Sequence, residues 1–232
     1  MKALTRLTVV LALGAVPAAG WAKGPVVVEL FTAQGCASCK QANSLIARMV
    51  DKPDLIVLTW AVDYWDYLGW KDTFAQPEFT IRQKAFAKRL GPQDVYTPQV
   101  VVDGLRQVSG DDAASVEALI GEAAADHPRP PKIRILGGGR VTIAAGYLDH
   151  GAADVWLVRY DPREQDVAVT EGDNRGATVT HRNVVRQVIR LGPWRGHAVA
   201  YTLPTPSEKG LSSVVILQGV RGGPVLAAAK AK

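Results

Sequence analysis

The pattern of apolar and polar positions changes character several times along the chain. Leu7 to Val16 is a continuous apolar run, preceded by Lys2 and Arg6 and followed by Pro17-Ala18-Ala19-Gly20-Trp21-Ala22. A basic start, a short apolar run and a small-residue segment in that order predict a secretory leader over residues 1–22. Its apolar part is too short to span a bilayer. Next, Val26-Val27-Val28-Glu29-Leu30-Phe31 is rich in β-branched residues and reads as a strand buried on both faces. After a break at Thr32–Gly35, Ala42, Leu45, Ile46 and Met49 fall on one face of a helix that opens at Cys36. Leu55 to Val62 is a second buried strand. Strand, helix and strand in succession imply a parallel pair joined by a right-handed crossover.

Residues 63–76 are irregular and aromatic. Pro77 suits the first turn of a helix that runs to Leu90 and is closed by Gly91-Pro92. A strand follows at Gln99–Val102, with a hairpin turn at Asp103-Gly104. An amphipathic helix over 112–125 carries Ala113, Val116, Leu119 and Ile120. His127-Pro128-Arg129-Pro130-Pro131 reads as a stiff linker. Beyond it the apolar runs shorten: Ile133–Ile135, Val141–Ile143, Val155–Val158, Val167–Val169, Thr178–Thr180, Val184–Leu191, Ala198–Thr202 and Val214–Leu217. Turn residues separate them, and the series predicts an antiparallel sandwich. The stretch 183–191 also admits a helix; strand is the preferred reading. The expected organisation is therefore an α/β domain over 23–126 with a helical, aromatic insertion at 63–91. A linker at 127–131 and a small all-β, sandwich-like domain over 132–232 complete it.

Composition narrows the function classes. Of 232 residues, 47% are hydrophobic, enough for a substantial core, and the formal net charge is +5. Lys2 and Arg6 leave with the leader, and the remaining basic residues are scattered with no Lys/Arg block, so nucleic acid is not an expected partner. Two cysteines cannot staple a chain of this length, which points them toward chemistry.

Those cysteines form Cys36-Ala37-Ser38-Cys39, directly after a buried strand and at the start of a helix. Unpaired N–H groups and the positive end of the helix dipole stabilise a thiolate there. Cys36, the first of the pair, is expected to be the exposed nucleophile. Cys39, about one turn deeper, is expected to resolve a mixed disulfide formed on Cys36. Two other readings stay open: an inert Cys36–Cys39 disulfide that pins the helix start, and Cu(I) held by the two thiolates. Four-coordinate zinc needs two further ligands, and the histidines at 127, 150, 181 and 197 all lie beyond the first domain. Glu29 is the one charged residue in its strand, a costly placement unless it is paired or protonated, and it is a candidate to pass protons to Cys39. Thr97-Pro98 is a candidate cis peptide facing the helix start.

Strand, C-x-x-C, helix, strand and then Thr-Pro resemble the thioredoxin superfamily. The resemblance implies a cis-proline beside the cysteines that positions a substrate backbone and limits metal binding. More narrowly, Val28 to Cys36, Val62 to Asp72 and Val95 to Gln99 resemble an uncharacterised family of secreted bacterial thioredoxin-like proteins, which implies fold and export without naming a substrate. Gly35 stands where better-known relatives have tryptophan, and Ala37-Ser38 contains neither the proline nor the histidine that tunes strong reductants and oxidants. The direction of electron flow stays open.

Tyr64, Trp65, Tyr67 and Trp70 follow the second strand, at the carboxyl edge where open α/β sheets bind ligands. Tyr64, Trp65 and Trp70, with Thr97, are candidate substrate-binding residues; packing of the insertion helix is the competing role. The polar turn Glu171–Gly176 matches no calcium-loop spacing. The expectation is thus an exported, periplasmic or secreted thiol–disulfide oxidoreductase with Cys36, Cys39, Glu29 and Pro98 at its centre. It needs no cofactor or metal, keeps no stable membrane insertion after leader removal, and acts on exported proteins or small thiols. The alternative is a binding protein: a Cu(I) carrier, or an interaction module with a structural disulfide.

Overall fold

The computed structural model describes residues 24–91, 94–125, 130–148 and 151–231. The expected leader lies outside these residues, as do 127–129 of the expected linker. Strand β1 (Val26–Thr32) runs parallel to β2 (Leu55–Ala61), in register from Val26 opposite Leu55 to Thr32 opposite Ala61. Helix α1 (Cys39–Ala47) connects them. Alternation along β1 sends Val26, Val28 and Leu30 to the side where α1 buries Ala42, Leu45 and Ile46. Val27 and Phe31 go to the other side, against Phe79 and Phe86 of α2 (Pro77–Leu90). Helix α2 starts with proline in its first turn after an extended Gln76 and stops at Gly91, whose φ of 91° is left-handed. β3 (Gln99–Val102) pairs antiparallel with β1, turns through Asp103 and Gly104 at φ 49° and 63°, and returns as β4 (Arg106–Ser109). The side chain of Asp103 accepts the Val27 amide at 2.7 Å and so ties this turn to the start of β1. Helix α3 (Ala113–Ala125) places Val116 in the α1 layer.

The second half consists of β5 (Ile133–Leu136), β6 (Arg140–Ile143), β7 (Ala153–Asp161), β8 (Gln165–Ala168), β9 (Thr178–His181), β10 (Val184–Trp194), β11 (Val199–Thr202), β12 (Ser212–Gly219) and β13 (Val225–Lys230). Residues 184–194 are a strand rather than a helix. These strands do not close into a sandwich of their own. Four of them extend the first sheet, giving eight strands in the order β13-β12-β7-β10-β2-β1-β3-β4. The seam is β10 beside β2, parallel, with Val184 opposite Thr59. It is reinforced where the Thr59 amide and hydroxyl donate to the Asn183 and Arg182 carbonyls, and the Asn183 side chain donates to the Val57 carbonyl. The physical reason is the outer edge of β2: with β1 on one side only, its backbone groups need a partner. Helix α2 crosses the seam, since Phe79 and Phe86 share one buried cluster with Val158, Val185 and Ile216. A three-stranded sheet, β11-β6-β5, covers the far half through Val141 and Ile143 against Val155, Leu157 and Val215. The second half therefore forms two layers, one of them continuous with the first half.

Strands β8 and β9 belong to neither large sheet. They pair only with each other among the described residues, as an arm between β7 and β10. No helix among the described residues is long and apolar enough to cross a membrane.

Candidate functional site

A disulfide joins Cys36, in the turn after the carboxyl end of β1, to Cys39, the first residue of α1. The turn that brings them together is backbone-made: the Cys36 amide donates to the Ala33 carbonyl and the Cys39 amide to the Cys36 carbonyl. Ala37 and Ser38 are exposed. Cys36 is 1% exposed and Cys39 0%, so the expectation of an exposed Cys36 is corrected. A helix start at a sheet edge is open to water in isolation; here two later segments cover it.

The first cover is the aromatic insertion, and Gln34 fastens it. Gln34 is fully buried. Its amide donates to Asp72 Oδ2 at 2.7 Å and its side-chain nitrogen to Thr73 Oγ1 at 2.9 Å. Its side-chain oxygen accepts from the Trp70 indole at 2.9 Å and from the Thr73 amide at 3.2 Å. Every polar group a glutamine side chain offers at this depth is thereby engaged. Gln34→Leu is expected to lower unfolding free energy by about 2 kcal/mol or more, because the Trp70 and Thr73 donors lose their buried acceptor. Urea denaturation that gives an unchanged midpoint and slope contradicts this.

Asp72 is 4% exposed and also accepts the Phe74 amide at 2.9 Å. Desolvation pushes its pKa up to about 6 against these hydrogen bonds, with a smaller upward contribution from Asp66. Asp66 itself accepts the Asp72 amide, and Asp63 accepts the Thr80 hydroxyl, so both are local structural acceptors. Tyr64 and Trp65 pack against the buried cluster that contains both cysteines. Burial pushes the Tyr64 hydroxyl up to about 12. Trp65 donates its indole N–H to Thr97 Oγ1 at 2.7 Å. Tyr67, by contrast, is 78% exposed.

Thr97-Pro98 is a cis peptide. Pro98 is buried, and its carbonyl accepts the Gly110 amide. A Cβ placed on Gly110 meets Pro98 at 3.1 Å, Ala42 at 3.2 Å and Leu30 at 3.3 Å, so glycine permits the closest approach of the proline turn to the first turns of α1.

Glu29 has a different occupation from the one expected. It is fully buried, on the α2 side of β1, and both carboxylate oxygens are taken by Arg82 at 2.6 and 2.8 Å. The guanidinium also donates to Gln218 and lies 4.9 Å from the Trp60 ring centroid and 5.0 Å from that of Phe86. A carboxylate clamped on both oxygens by a guanidinium is a structural partner, an occupation other than the expected proton relay to Cys39.

The second cover comes from the tip of the β8–β9 arm. Asn174, buried, donates from one side-chain nitrogen to the Gln34 carbonyl at 2.8 Å and to the Cys36 carbonyl at 2.7 Å. Gly172 stands against Gly35 and Trp70: a Cβ there lies 3.6 Å from Gly35 Cα and 3.7 Å from Trp70 Cβ. At the root, His181 is wholly buried with Phe74 edge-on at 5.4 Å, and neither ring nitrogen has a hydrogen-bond partner among the described residues. Burial lowers its pKa to about 4, with Arg186 adding to the shift and Asp166 opposing it. Gln34, Asp72, Asn174 and Arg82 are thus site residues that the sequence pattern did not single out. A buried polar residue between a strand and a C-x-x-C was the one local signal, at Gln34. No group of three or more His, Cys, Asp or Glu side chains among the described residues is arranged to hold a metal ion.

Residues 27–218 match the family described as "Protein of unknown function (DUF1223)". The chain belongs to that family. The DUF1223 match runs from β1 to the end of β12 and includes both cysteines, Gln34, Asp72, Thr97, Pro98 and Asn174. The X-ray crystal structure of an Agrobacterium tumefaciens protein is similar at 32% identity and a TM-score of 0.73, over 88% of this chain and 92% of that one. HBP35 of Porphyromonas gingivalis shares the fold at 13% identity and a TM-score of 0.59, over 90% of this chain and 75% of its own. No curated protein matches the sequence.

Proposed function

We propose that this DUF1223 protein is an exported, thioredoxin-like thiol–disulfide oxidoreductase whose working pair is Cys36 and Cys39. One observation carries the reading: a disulfide between these residues at the start of α1, with the Thr97-Pro98 turn packed close to the same helix. In the reduced protein the Cys36 thiolate attacks a substrate disulfide. The substrate S–S bond breaks, a Cys36–substrate bond forms, and the other substrate sulfur leaves and takes a proton. The Cys39 thiolate then attacks Cys36, the substrate's second sulfur leaves as a thiol, and the Cys36–Cys39 bond forms as two electrons pass to the substrate. The amide groups of the first turn of α1 favour the thiolate. In this reading substrate contact falls to Tyr64 and Trp65, which pack against the cluster of both cysteines, to Thr97, which holds the Trp65 indole, and to Trp70. Positioning of the substrate backbone falls to Pro98. Residues 1–22 supply the export leader, in keeping with a disulfide that persists in an oxidising compartment.

Cys39→Ser is the decisive variant. Incubated with a disulfide-bonded model protein, it is expected to accumulate a mixed disulfide on Cys36, seen by mass spectrometry and cleared by dithiothreitol. Burial of both sulfurs favours a second reading, a permanent structural bridge. Absence of any adduct, together with a wild-type pair that stays oxidised across glutathione buffers spanning its whole redox range, selects that reading. Copper titration of the reduced protein separates the Cu(I) alternative: 1:1 binding lost in Cys36→Ser identifies it.

A further inference from the structure

The arm formed by β8 and β9 leaves the main sheet after Asp161 and rejoins it at Val184, two residues paired with each other in the β7–β10 ladder. Its root is pinned on β2 through Arg182 and Asn183. Its tip, Thr170–Ala177, is folded on itself: the Val169 and Gly176 amides bond to the Ala177 and Val169 carbonyls, and the Arg175 amide to the Gly172 carbonyl. Asp173 and Arg175 are exposed, whereas Asn174 is buried and turns inward, and the Glu171 carboxylate lies over Gly69 of the insertion. The strands behind the tip are packed, with β9 against α1 and Val179 and His181 buried, while the tip itself reaches the cysteine loop through the Asn174 amide on two carbonyls, with Gly172 resting between Gly35 and Trp70.

From this arrangement we propose that the tip of the β8–β9 arm is an internal lid occupying the peptide-docking position beside Cys36. The proposal deepens the oxidoreductase reading and rests on it for the identity of the partner. The Gln34 and Cys36 carbonyls are the groups that the N–H donors of an extended polypeptide take over when Asn174 lets go. Trp70, whose Cβ Gly172 stands against, lies beside them. The partner class is therefore an unfolded or extended protein segment carrying a cysteine, bound by backbone amide donation and indole contact. Closed, the lid keeps the disulfide from bulk thiols; lifted, it exposes Cys36 together with its docking groups.

The test is the rate at which an excess of a water-soluble phosphine reduces the Cys36–Cys39 disulfide in the full chain. Phosphorus attacks one sulfur, the S–S bond breaks and the other sulfur leaves as a thiolate that takes a proton. Water then converts the thiophosphonium to phosphine oxide and the second thiol, so the phosphine loses the two electrons that the disulfide gains. Asn174→Ala is expected to raise this rate tenfold or more over wild type with the folded state retained; a change of less than twofold overturns the lid. Wild type alone gives a second reading should the variant not fold. The disulfide is expected to react at least a hundredfold more slowly in the native protein than in urea; a ratio below tenfold overturns the proposal. Reduction by phosphine needs no enzymatic activity. A faster Asn174→Ala reaction with no mixed disulfide in Cys39→Ser therefore sinks the oxidoreductase reading alone, and the reverse pattern sinks the lid alone.

Discussion

Arg82→Met is expected to cost about 3–5 kcal/mol of folding stability, because it strands the Glu29 carboxylate without its partner in a closed core. The pair is 9% and 1% exposed at its side chains, so water cannot replace the lost guanidinium. The guanidinium also fills the space between Trp60 and Phe86, which methionine partly refills. The companion variant Glu29→Gln with Arg82→Met is expected to recover most of the loss, since no charge is left buried. Guanidinium unfolding of wild type, single and double variants measures the coupling. Equal destabilisation in the single and double variants contradicts the account. The same series tests what Glu29 does for the cysteines: as a structural partner it leaves the pH dependence of Cys36 alkylation in the reduced protein unmoved in Glu29→Gln, provided the fold persists.

Acid stability is expected to turn on His181. Its folded pKa of about 4 lies below the roughly 6.5 of an unfolded chain, so between these values the unfolded state binds more protons. His181's contribution is therefore complete above about pH 6.5 and is lost as pH falls toward 4, by about 2 kcal/mol at pH 5. Asp72 has the opposite sign. Its folded value of about 6 exceeds the roughly 3.9 of an aspartate in an unfolded chain, so stability present at low pH is lost as pH rises through that interval. The two oppose each other, and a flat wild-type profile from pH 4 to 6 conceals both. His181→Leu removes one side. It takes away two buried, unpartnered ring nitrogens, and its stability relative to wild type is expected to be about 2 kcal/mol more favourable at pH 5 than at pH 7. Parallel stability curves for the two proteins, by urea unfolding at each pH, refute the assignment.

Much of the local structure was legible in the sequence because it depends on neighbours in sequence. The apolar runs of β1 and β2, the i, i+3, i+4 face of α1, Pro77 and Gly91 at the ends of α2, and Asp103-Gly104 at the β3–β4 turn are each set by periodicity or backbone preference. β13 was not legible: Val225-Leu-Ala-Ala-Ala-Lys carries helix-favouring alanines, and it is extended because β12 pairs with it from Val214 opposite Lys230. The division of the chain at 127–131 rested on a change of period, and period says nothing about which strand edges meet. Whether β10 pairs with β2 is decided by an open edge and by Asn183, 126 residues from its partner Val57.

The cysteine pair shows the same separation. That Cys36 and Cys39 lie one turn apart at a strand–helix junction follows from their spacing and the apolar runs on either side. That both sulfurs are buried does not. It results from Gln34 binding Trp70 and Thr73 and from Asn174, 138 positions away, reaching the Cys36 carbonyl. Likewise a lone glutamate in a buried strand announces a need for a partner, while only the tertiary fold names Arg82. Sequence by itself determined where backbone conformations and reactive groups stand along the chain, because those depend on short-range sterics and periodicity. The tertiary structure alone decided which of them are covered, paired or charged, because burial and ion pairing are set by segments that meet only when the chain is folded.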